Sequence, residues 1–217
     1  MKRVALLGGS FNPPHPGHFD MARIVHQTTG ADEIWLLFSL NTEKDPADYA
    51  PLAHRMEMAR LLASHYKDVP IVLSTFQEDM GVHITSDVLK AARDNHPDTE
   101  FIWVMGTDNL IGFHTWEEYD DILHSFPCLI LRREPYTSDA MLSVTATKFP
   151  ELRQPDAETL MKEGKGWLVL TNDPVNISSS GFLRDLRAGK RQFDGLLQEI
   201  ADYSLAHGLY GMPPKTA

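Results

Sequence analysis

The stretch GGSFNPPHPGH at residues 8–18 decides how this chain folds. It follows the apolar run 4–7, which predicts a buried strand, and precedes residues 19–25, whose apolar spacing predicts a helix. A glycine pair at the end of a strand lets the backbone approach a ligand closely. His15 and His18 share one face of the first helical turn, beside its free N–H groups. Two potential cations and free amides together predict an anion site, best suited to polyphosphate.

Composition and charge narrow the class of protein. The chain has 217 residues, 42% hydrophobic and 23% charged, as in ordinary globular proteins. Its net charge of −10 argues against nucleic acid as a partner, and no apolar run is long enough to span a membrane. The single cysteine, Cys128, has no partner for an internal disulfide, so we expect a cytoplasmic protein. A homo-oligomer is compatible with this composition.

Strand-like and helical patterns alternate along the chain. Continuous apolar strands separated by helices predict an α/β fold, a Rossmann-like doubly wound parallel sheet with helices on both faces. Ligands then bind beyond the carboxyl ends of the strands. We expect one domain over residues 1–210, with an irregular excursion at about 133–163 and a flexible tail at 211–217. The predicted strands after the first are 34–38, 70–74, 101–105, 128–131 and 166–170, and the clearest later helices are 52–64 and 85–95.

Residues 8–18 fit the pattern G-G-[ST]-F-[DN]-P-x-H-x-G-H. This pattern resembles the H-x-G-H nucleotidyltransferases, in the form typical of nicotinate or nicotinamide mononucleotide adenylyltransferases, and weaker similarity continues to about Tyr210. The resemblance implies AMP transfer from ATP to nicotinate mononucleotide, giving deamido-NAD and pyrophosphate in NAD biosynthesis, with Mg²⁺ accompanying ATP and no metal ligands from the protein. It also implies catalytic roles for His15 and His18, and ATP binding by Gly8, Gly9, Ser10, Phe11 and Gly17.

Consecutive hydroxyls at residues 178–180 precede a further predicted helix near the end of the chain and offer an N-cap. The segment resembles the family pattern I-S-x-[ST]-x-[IV]-R, which implies ATP binding by Ile177, Ser178 and Ser180. The family arginine falls on Leu183. We expect Gly181 to shift the helix start so that Arg184 reaches the ATP phosphates, with Arg187 as the alternative.

The segment 41–45 follows the second predicted strand and carries Lys44. The family has a lysine in this loop, so the resemblance implies that Lys44 contacts phosphate as a third catalytic residue. The prolines and the histidine usual in that loop are absent here. For His54 and Arg55, which fit the family's next helix, we favour a structural role.

The resemblance also implies a mononucleotide side, formed by Thr85, Gly106, Asp108 and Trp116. Asp108 follows a buried strand, where it could accept ribose hydroxyls or help to order a metal. Thr115 and Glu118 form a capping-box pattern, which predicts a helix beginning at Trp116. The indole would then stack on a pyridine ring while helix amides bind its carboxylate. This arrangement favours the nicotinate mononucleotide.

Two other kinds of function remain open. The acceptor could be nicotinamide mononucleotide or another phosphorylated small molecule; phosphopantetheine adenylyltransferases share H-x-G-H but are shorter and lack the segment around residues 106–116. A non-catalytic nucleotide-binding protein is the alternative from another class, suggested by Leu183 and the altered Lys44 loop.

Overall fold

A parallel sheet of six strands, in the order β3-β2-β1-β4-β5-β6, forms the centre of the chain. The computed structural model describes residues 1–39, 47–173 and 177–213. This order is the doubly wound arrangement that the alternating pattern predicts, so the predicted fold class is confirmed. The strands are β1 Lys2–Gly9, β2 Glu33–Phe38, β3 Ile71–Ser74, β4 Thr99–Gly106, β5 Pro127–Leu131 and β6 Gly166–Val169.

Helices cover both faces of this sheet. They are α1 Pro16–Thr29, α2 Leu52–Ala63, α3 Phe76–Met80, α4 Thr85–Asn95, α5 Thr107–Gly112, α6 Tyr119–Ser125, α7 Thr137–Met141, α8 Val144–Lys148, α9 Ala157–Glu163, α10 Ser179–Arg187 and α11 Leu196–Ala206. Short 3₁₀ helices span Phe113–Thr115 and Pro150–Leu152. Within the described residues, no helix is long and apolar enough to cross a membrane.

Alternate residues of the central strands fill two separate cores. In β4, Ile102 and Val104 pack with α1, α2, α9, α10 and α11 on one face. Phe101 and Trp103 pack with α4, α5, α6 and α8 on the other face. Both sides of each central strand are therefore buried, which explains why these strands are continuously apolar.

Two segments are more regular or better packed than expected. The segment 133–163, expected to be irregular, contains α7, α8, α9 and a 3₁₀ helix, and it buries apolar side chains such as Leu160. The tail, expected to be free from residue 211, still packs at Met212, which is only 9% exposed and donates its N–H to the Leu209 carbonyl. Short amphipathic turns and a buried methionine gave too weak a local signal to predict either feature.

The strand order changes direction between β1 and β4. The connection after β1 leads to β2 on one side, whereas β4 lies on the other side of β1. A crevice opens at such a switch point beyond the carboxyl ends of the two strands. The structure thus places the glycine-rich segment 8–18 and the segment 106–109 at the same edge of the sheet.

Candidate functional site

A cleft of about 1200 Å³ lies at this edge, beyond the ends of β1 and β4. It brings together most of the residues predicted to form the site. Its lining includes Gly8, Gly9, Ser10, Phe11, His15, His18, Gly106, Asp108, Ile177, Ser178, Ser180 and Arg184. Gly17 is buried in the first turn of α1, beneath the lining.

The two glycines at the end of β1 are required by packing. A Cβ on Gly8 would lie 2.7 Å from the Trp103 indole, and a Cβ on Gly9 would lie 3.2 Å from the Phe11 ring. Phe11 itself has a φ of +43° and is 1% exposed, so its ring serves as the inner wall of the turn. The glycines are therefore dictated by the side chains packed against them as well as by access to the cleft.

Hydrogen bonds fasten the glycine-rich loop to the turn before α2. The Asn12 side chain donates to the Asp48 carbonyl at 2.7 Å and accepts from the Ala50 N–H at 2.9 Å. Arg55 is 1% exposed and donates to the carbonyls of Ser10 and Ala50. The structural role predicted for Arg55 is confirmed.

The His54 side chain lies at the surface between α2 and α11. Its Nδ1 is 3.0 Å from the Tyr203 hydroxyl, and its ring packs against those of Tyr203 and His207. This contact joins two helices and is in keeping with the structural role favoured for His54.

His15 and His18 form a stacked pair at the start of α1. Their ring centroids are 3.7 Å apart with an interplanar angle of 19°. His15 is the N-cap residue, and its backbone N–H donates to Nδ1 of His18 at 3.1 Å. Because Nδ1 of His18 accepts, the neutral ring carries its proton on Nε2. His18 is thus set as a hydrogen-bond donor through Nε2.

Burial disfavours the charged form of both imidazoles. Desolvation, helped by the positive charge of Arg133, lowers the pKa of His15 from 6.5 to about 3. Desolvation, the neighbouring His15 and Arg133 together hold the pKa of His18 well below 6.5. The two potential cations therefore stay a prediction, because burial disfavours the charged form whereas a polyphosphate beside the rings would favour it.

An ion pair between Asp108 and Arg133 and the stacked His15–His18 pair together form what we call the floor of the cleft. Arg133 Nη1 lies 2.8 Å from Asp108 Oδ2, and Asp108 Oδ1 is buried without a hydrogen bond among the described residues. A Cβ on Gly106 would lie 2.3 Å from Asp108 Oδ1 and 2.8 Å from Arg133 Cδ. The glycine at the end of β4 therefore leaves room for the ion pair.

Sequence reasoning missed Arg133. Thr107 fixes its backbone, because the Thr107 hydroxyl lies 2.9 Å from both the N–H and the carbonyl oxygen of Arg133. A usable signal was present: Arg132 and Arg133 directly follow β5, which pairs with β4 in parallel. Side chains that follow neighbouring parallel strands meet at one edge, so this pairing would have placed a cation near Asp108 had it been considered.

Helix α10 forms the wall of the cleft. It begins earlier than expected. The Ser178 hydroxyl caps it by accepting from the Gly181 N–H at 3.1 Å, and the Ser179 hydroxyl donates to the Pro13 carbonyl at 2.9 Å. A Cβ on Gly181 would lie 2.8 Å from the Ser178 hydroxyl. The predicted shift of the helix start at Gly181 is wrong, since Gly181 lies inside a continuous first turn and makes room for the cap.

Three residues of α10 occupy the cleft wall around the position of the family arginine. Leu183, Arg184 and Arg187 all line the cleft. Arg184 has a side chain that is 80% exposed and lies 3.4 Å from Asp185. Arg187 lies one turn beyond Leu183 on the same helix face and pairs with Asp48 at 2.6 Å. The wall thus keeps two cations although the family position holds leucine.

The predicted mononucleotide side is only partly assembled in the cleft. Among the described residues that line it, neither Thr85 nor Trp116 is present. Thr85 starts α4, and Trp116 packs edge-on against Phe113 and Trp103, with centroid distances of 5.1 and 6.3 Å. Their binding roles remain predictions.

The capping-box interpretation of residues 115–118 is wrong. The Thr115 hydroxyl donates to the Gly112 carbonyl at 2.7 Å and closes a 3₁₀ turn, while Glu118 forms an ion pair with Lys90. Both side chains are therefore engaged elsewhere, and α6 begins at Tyr119 with Glu118 as its N-cap. Trp116 does not stand at a helix N-terminus.

Lys44 lies outside the described residues. Within the described ranges, no three His, Cys, Asp or Glu side chains are grouped so that they could hold a metal ion. The described polar groups that line the cleft are imidazoles, hydroxyls, amides, guanidinium groups and three carboxylates, those of Asp48, Asp108 and Glu134. Each of these carboxylates forms an ion pair with an arginine. The remaining donors and the ends of α1 and α10 suit an extended anion.

Comparisons with known proteins agree with this geometry. The model of the family described as "Cytidylyltransferase-like" matches residues 6–184. A Cereibacter sphaeroides protein named "Probable nicotinate-nucleotide adenylyltransferase" is 36% identical over 180 residues, which is 82% of this chain and 94% of that protein. An Agrobacterium fabrum protein of the same name is 33% identical over 185 residues, 84% of this chain and 97% of its own length.

Solved structures share the fold. A Plasmodium falciparum nicotinic acid mononucleotide adenylyltransferase complexed with APC has a TM-score of 0.70 and 19% identity, with 98% of each chain covered. The same enzyme complexed with NaAD has a TM-score of 0.69 and 20% identity. Together with the family match and the identity to the bacterial relatives, this shows that the chain belongs to the cytidylyltransferase-like family and, within it, to the nicotinate-nucleotide adenylyltransferases.

Proposed function

We propose that this chain is an enzyme of NAD biosynthesis that transfers AMP from ATP to nicotinate mononucleotide, giving deamido-NAD and pyrophosphate. One observation carries the proposal: the stacked His15–His18 pair stands at the start of α1, beside the glycine turn of a large cleft. A neutral imidazole donor, two helix N-termini and nearby guanidinium groups suit a polyphosphate substrate. The names of the bacterial relatives support nicotinate mononucleotide as the acceptor.

The chemistry needs no general base. An oxygen of the acceptor's 5′-phosphate, already anionic at neutral pH, bonds to the α-phosphorus of ATP. The bond from that phosphorus to the bridging β-phosphate oxygen breaks, and pyrophosphate leaves with the electron pair. The protein's task is then to position two anions and to stabilise the charge that develops between them.

The residues of the cleft divide this task. His18 donates from Nε2 to an α-phosphate oxygen, and His15 fixes the orientation of His18 through its backbone N–H. The α10 N-terminus, with Ser178 and Ser180, binds the leaving phosphates together with Arg184. Asp108, whose Oδ1 lacks a hydrogen bond among the described residues, accepts from the acceptor's ribose hydroxyls. Arg133 offsets the negative charge gathered on the floor.

Mg²⁺ enters as part of the MgATP substrate in this proposal. The residues of the cleft fit that role, because phosphate oxygens are hard ligands for Mg²⁺ and the described residues hold no group of three His, Cys, Asp or Glu side chains that could bind the ion by themselves. When bound, the ion neutralises charge on the phosphates. The chain's own residues bind and orient the complex.

A turnover assay tests the acceptor. Purified protein with MgATP should release pyrophosphate and form the dinucleotide with nicotinate mononucleotide, at a higher kcat/KM than with nicotinamide mononucleotide. The helix argument for this preference fails, since α6 begins after Trp116, so the preference rests on the relatives. A higher kcat/KM for the amide would change the acceptor, and ATP binding without turnover with any mononucleotide would favour the non-catalytic alternative.

The proposed site of action is the cytoplasm, as the sequence predicts. Cys128 is buried in β5, and burial raises the pKa of its thiol, so it stays a protonated core side chain. A reduced, inert cysteine is in keeping with a reducing compartment.

A further inference from the structure

Arg187, at the end of α10, is partly exposed and hydrogen-bonds to two other segments of the chain. Its Nη2 donates to Asp48 Oδ1 at 2.6 Å and to the Ala47 carbonyl at 3.0 Å. Its Nε donates to the Tyr210 carbonyl at 3.2 Å. One guanidinium thus joins α10 to the turn before α2 and to the C-terminal turn.

The turn at Ala47–Asp48 is itself attached to the glycine-rich loop. The Asn12 side chain spans it by binding the Asp48 carbonyl and the Ala50 N–H. Asn12 and Asp48 line the cleft, as Arg187 does. The contacts of Arg187 therefore continue, through one turn, into the loop that carries the histidines.

The C-terminal turn is packed against the same place. Tyr210 is 2% exposed, and Met212 is 9% exposed. A Cβ on Gly211 would lie 3.7 Å from the Ala47 carbonyl oxygen, so the two turns are in close contact. The end of the described chain is therefore part of the structure behind the cleft wall.

We propose that Arg187 is a positioning residue that clasps the Ala47–Asp48 turn and the Tyr210 turn to α10, and thereby sets the width of the ATP side of the cleft. The proposal rests on the proposed function for the identity of the ligand. A planar fork of donors suits this task, because it can bind two carbonyls and a carboxylate in fixed directions. Its three acceptors favour a tether over a direct phosphate contact.

Kinetics of matched variants test the clasp. Arg187→Met should raise the KM and the calorimetric Kd for ATP by about fivefold, the upper range for an exposed ion pair. Asp48→Ala, which removes one of the three acceptors, should raise them less. The KM for nicotinate mononucleotide should stay within about twofold. The double variant Arg187→Met/Asp48→Ala should be no worse than Arg187→Met, because Arg187→Met already removes the contact with Asp48. Arg187→Lys should recover part of the affinity for ATP. Lys190→Met removes a cation just after the same helix and should leave the affinity for ATP unchanged.

Amide hydrogen exchange supplies a readout independent of turnover. Exchange at residues 47–50 and 209–212 should rise in Arg187→Met and stay unchanged in Lys190→Met. Unchanged exchange in Arg187→Met would overturn the clasp. Faster exchange with unaltered ATP binding, or with kcat and both KM values shifting together as the melting temperature falls, would reduce Arg187 to a stabilising residue and overturn its role at the cleft.

Two other outcomes are separable. If Arg187→Met loses ATP affinity while amide exchange at residues 47–50 and 209–212 stays as in wild type, Arg187 contacts ATP directly and the clasp is wrong. If the wild-type protein makes no dinucleotide, the proposed function fails, while hydrogen exchange and the Kd for ATP still decide whether the clasp exists and shapes a nucleotide site.

Discussion

The floor and the wall of the cleft hold their cations in different ways. On the floor, the Arg133 side chain is 24% exposed and pairs with Asp108 at 2.8 Å. Desolvation is the main cause of the lowered pKa of both histidines, and the charge of Arg133 adds to it. On the wall, the Arg184 side chain is 80% exposed and lies 3.4 Å from Asp185. The electrostatic interaction of a partly buried charge with its neighbours is screened less than that of a charge in solvent. The same residue type thus tunes protonation in one place and attracts ligand in the other.

The largest effect is expected on the floor. His18→Ala should lower kcat by about 10²–10³, the usual loss when one preorganised donor to a developing oxyanion is removed. Steady-state turnover with ATP and nicotinate mononucleotide measures it, and circular dichroism checks that the variant is folded. A folded variant within about threefold of wild type would remove His18 from the chemistry.

The floor should also make the protein sensitive to acid. The pKa of His15 is lowered in the folded state, so the unfolded chain takes up a proton first as the pH falls below 6.5. The free energy of unfolding should therefore drop as the pH falls, by about 2 kcal/mol from this residue at about pH 5. Urea denaturation at neutral pH and at pH 5 should show a smaller drop in His15→Asn. The exposed His83 supplies the control, His83→Asn, and an equal drop in both variants would contradict the assignment.

Removing the floor cation should change the histidines themselves. Arg133→Met should raise the pKa of His15 and of His18, because a positive charge that disfavours imidazolium is lost. Imidazole ¹⁵N shifts over a pH titration measure this. Arg132→Met is the matched control, since Arg132 pairs with Glu134 and does not line the cleft. Equal titration curves for wild type and Arg133→Met would show that Arg133 has no influence on the pair.

The smallest effect is expected on the wall. Arg184→Ala should raise the KM for ATP by about threefold at low salt and less at high salt, because exposed charges are screened. Thermal stability should be unchanged. Lys165→Ala removes an exposed cation far from the cleft and should leave the KM unaltered. A loss for Arg184→Ala as large as that for His18→Ala would place this cation at the reacting phosphate and end the contrast between wall and floor.

Local sequence signals predicted the parts of the site that local forces determine. The turn at residues 8–18 and the α1 start depend on glycines, prolines and histidines that are adjacent in sequence, and they were predicted correctly. Arg133 depends on the pairing of β4 with β5, which no local pattern reveals. At residues 115–118 the capping pattern is not formed: the Thr115 hydroxyl donates to the Gly112 carbonyl and Glu118 pairs with Lys90 of α4. A tertiary contact therefore explains the failure at Arg133, whereas at Gly181 the local cap by Ser178 was misjudged.

The contact between Gly8 and the Trp103 indole has an evolutionary consequence. With 2.7 Å between a hypothetical Cβ and the ring, position 8 can accept a side chain only when position 103 becomes smaller. The two positions belong to neighbouring strands and should therefore vary together among relatives, with alanine at one accompanied by a smaller residue than tryptophan at the other. A mutational path through Gly8→Ala alone would pass through a poorly packed intermediate, so the tryptophan restricts the order in which substitutions can accumulate in this turn.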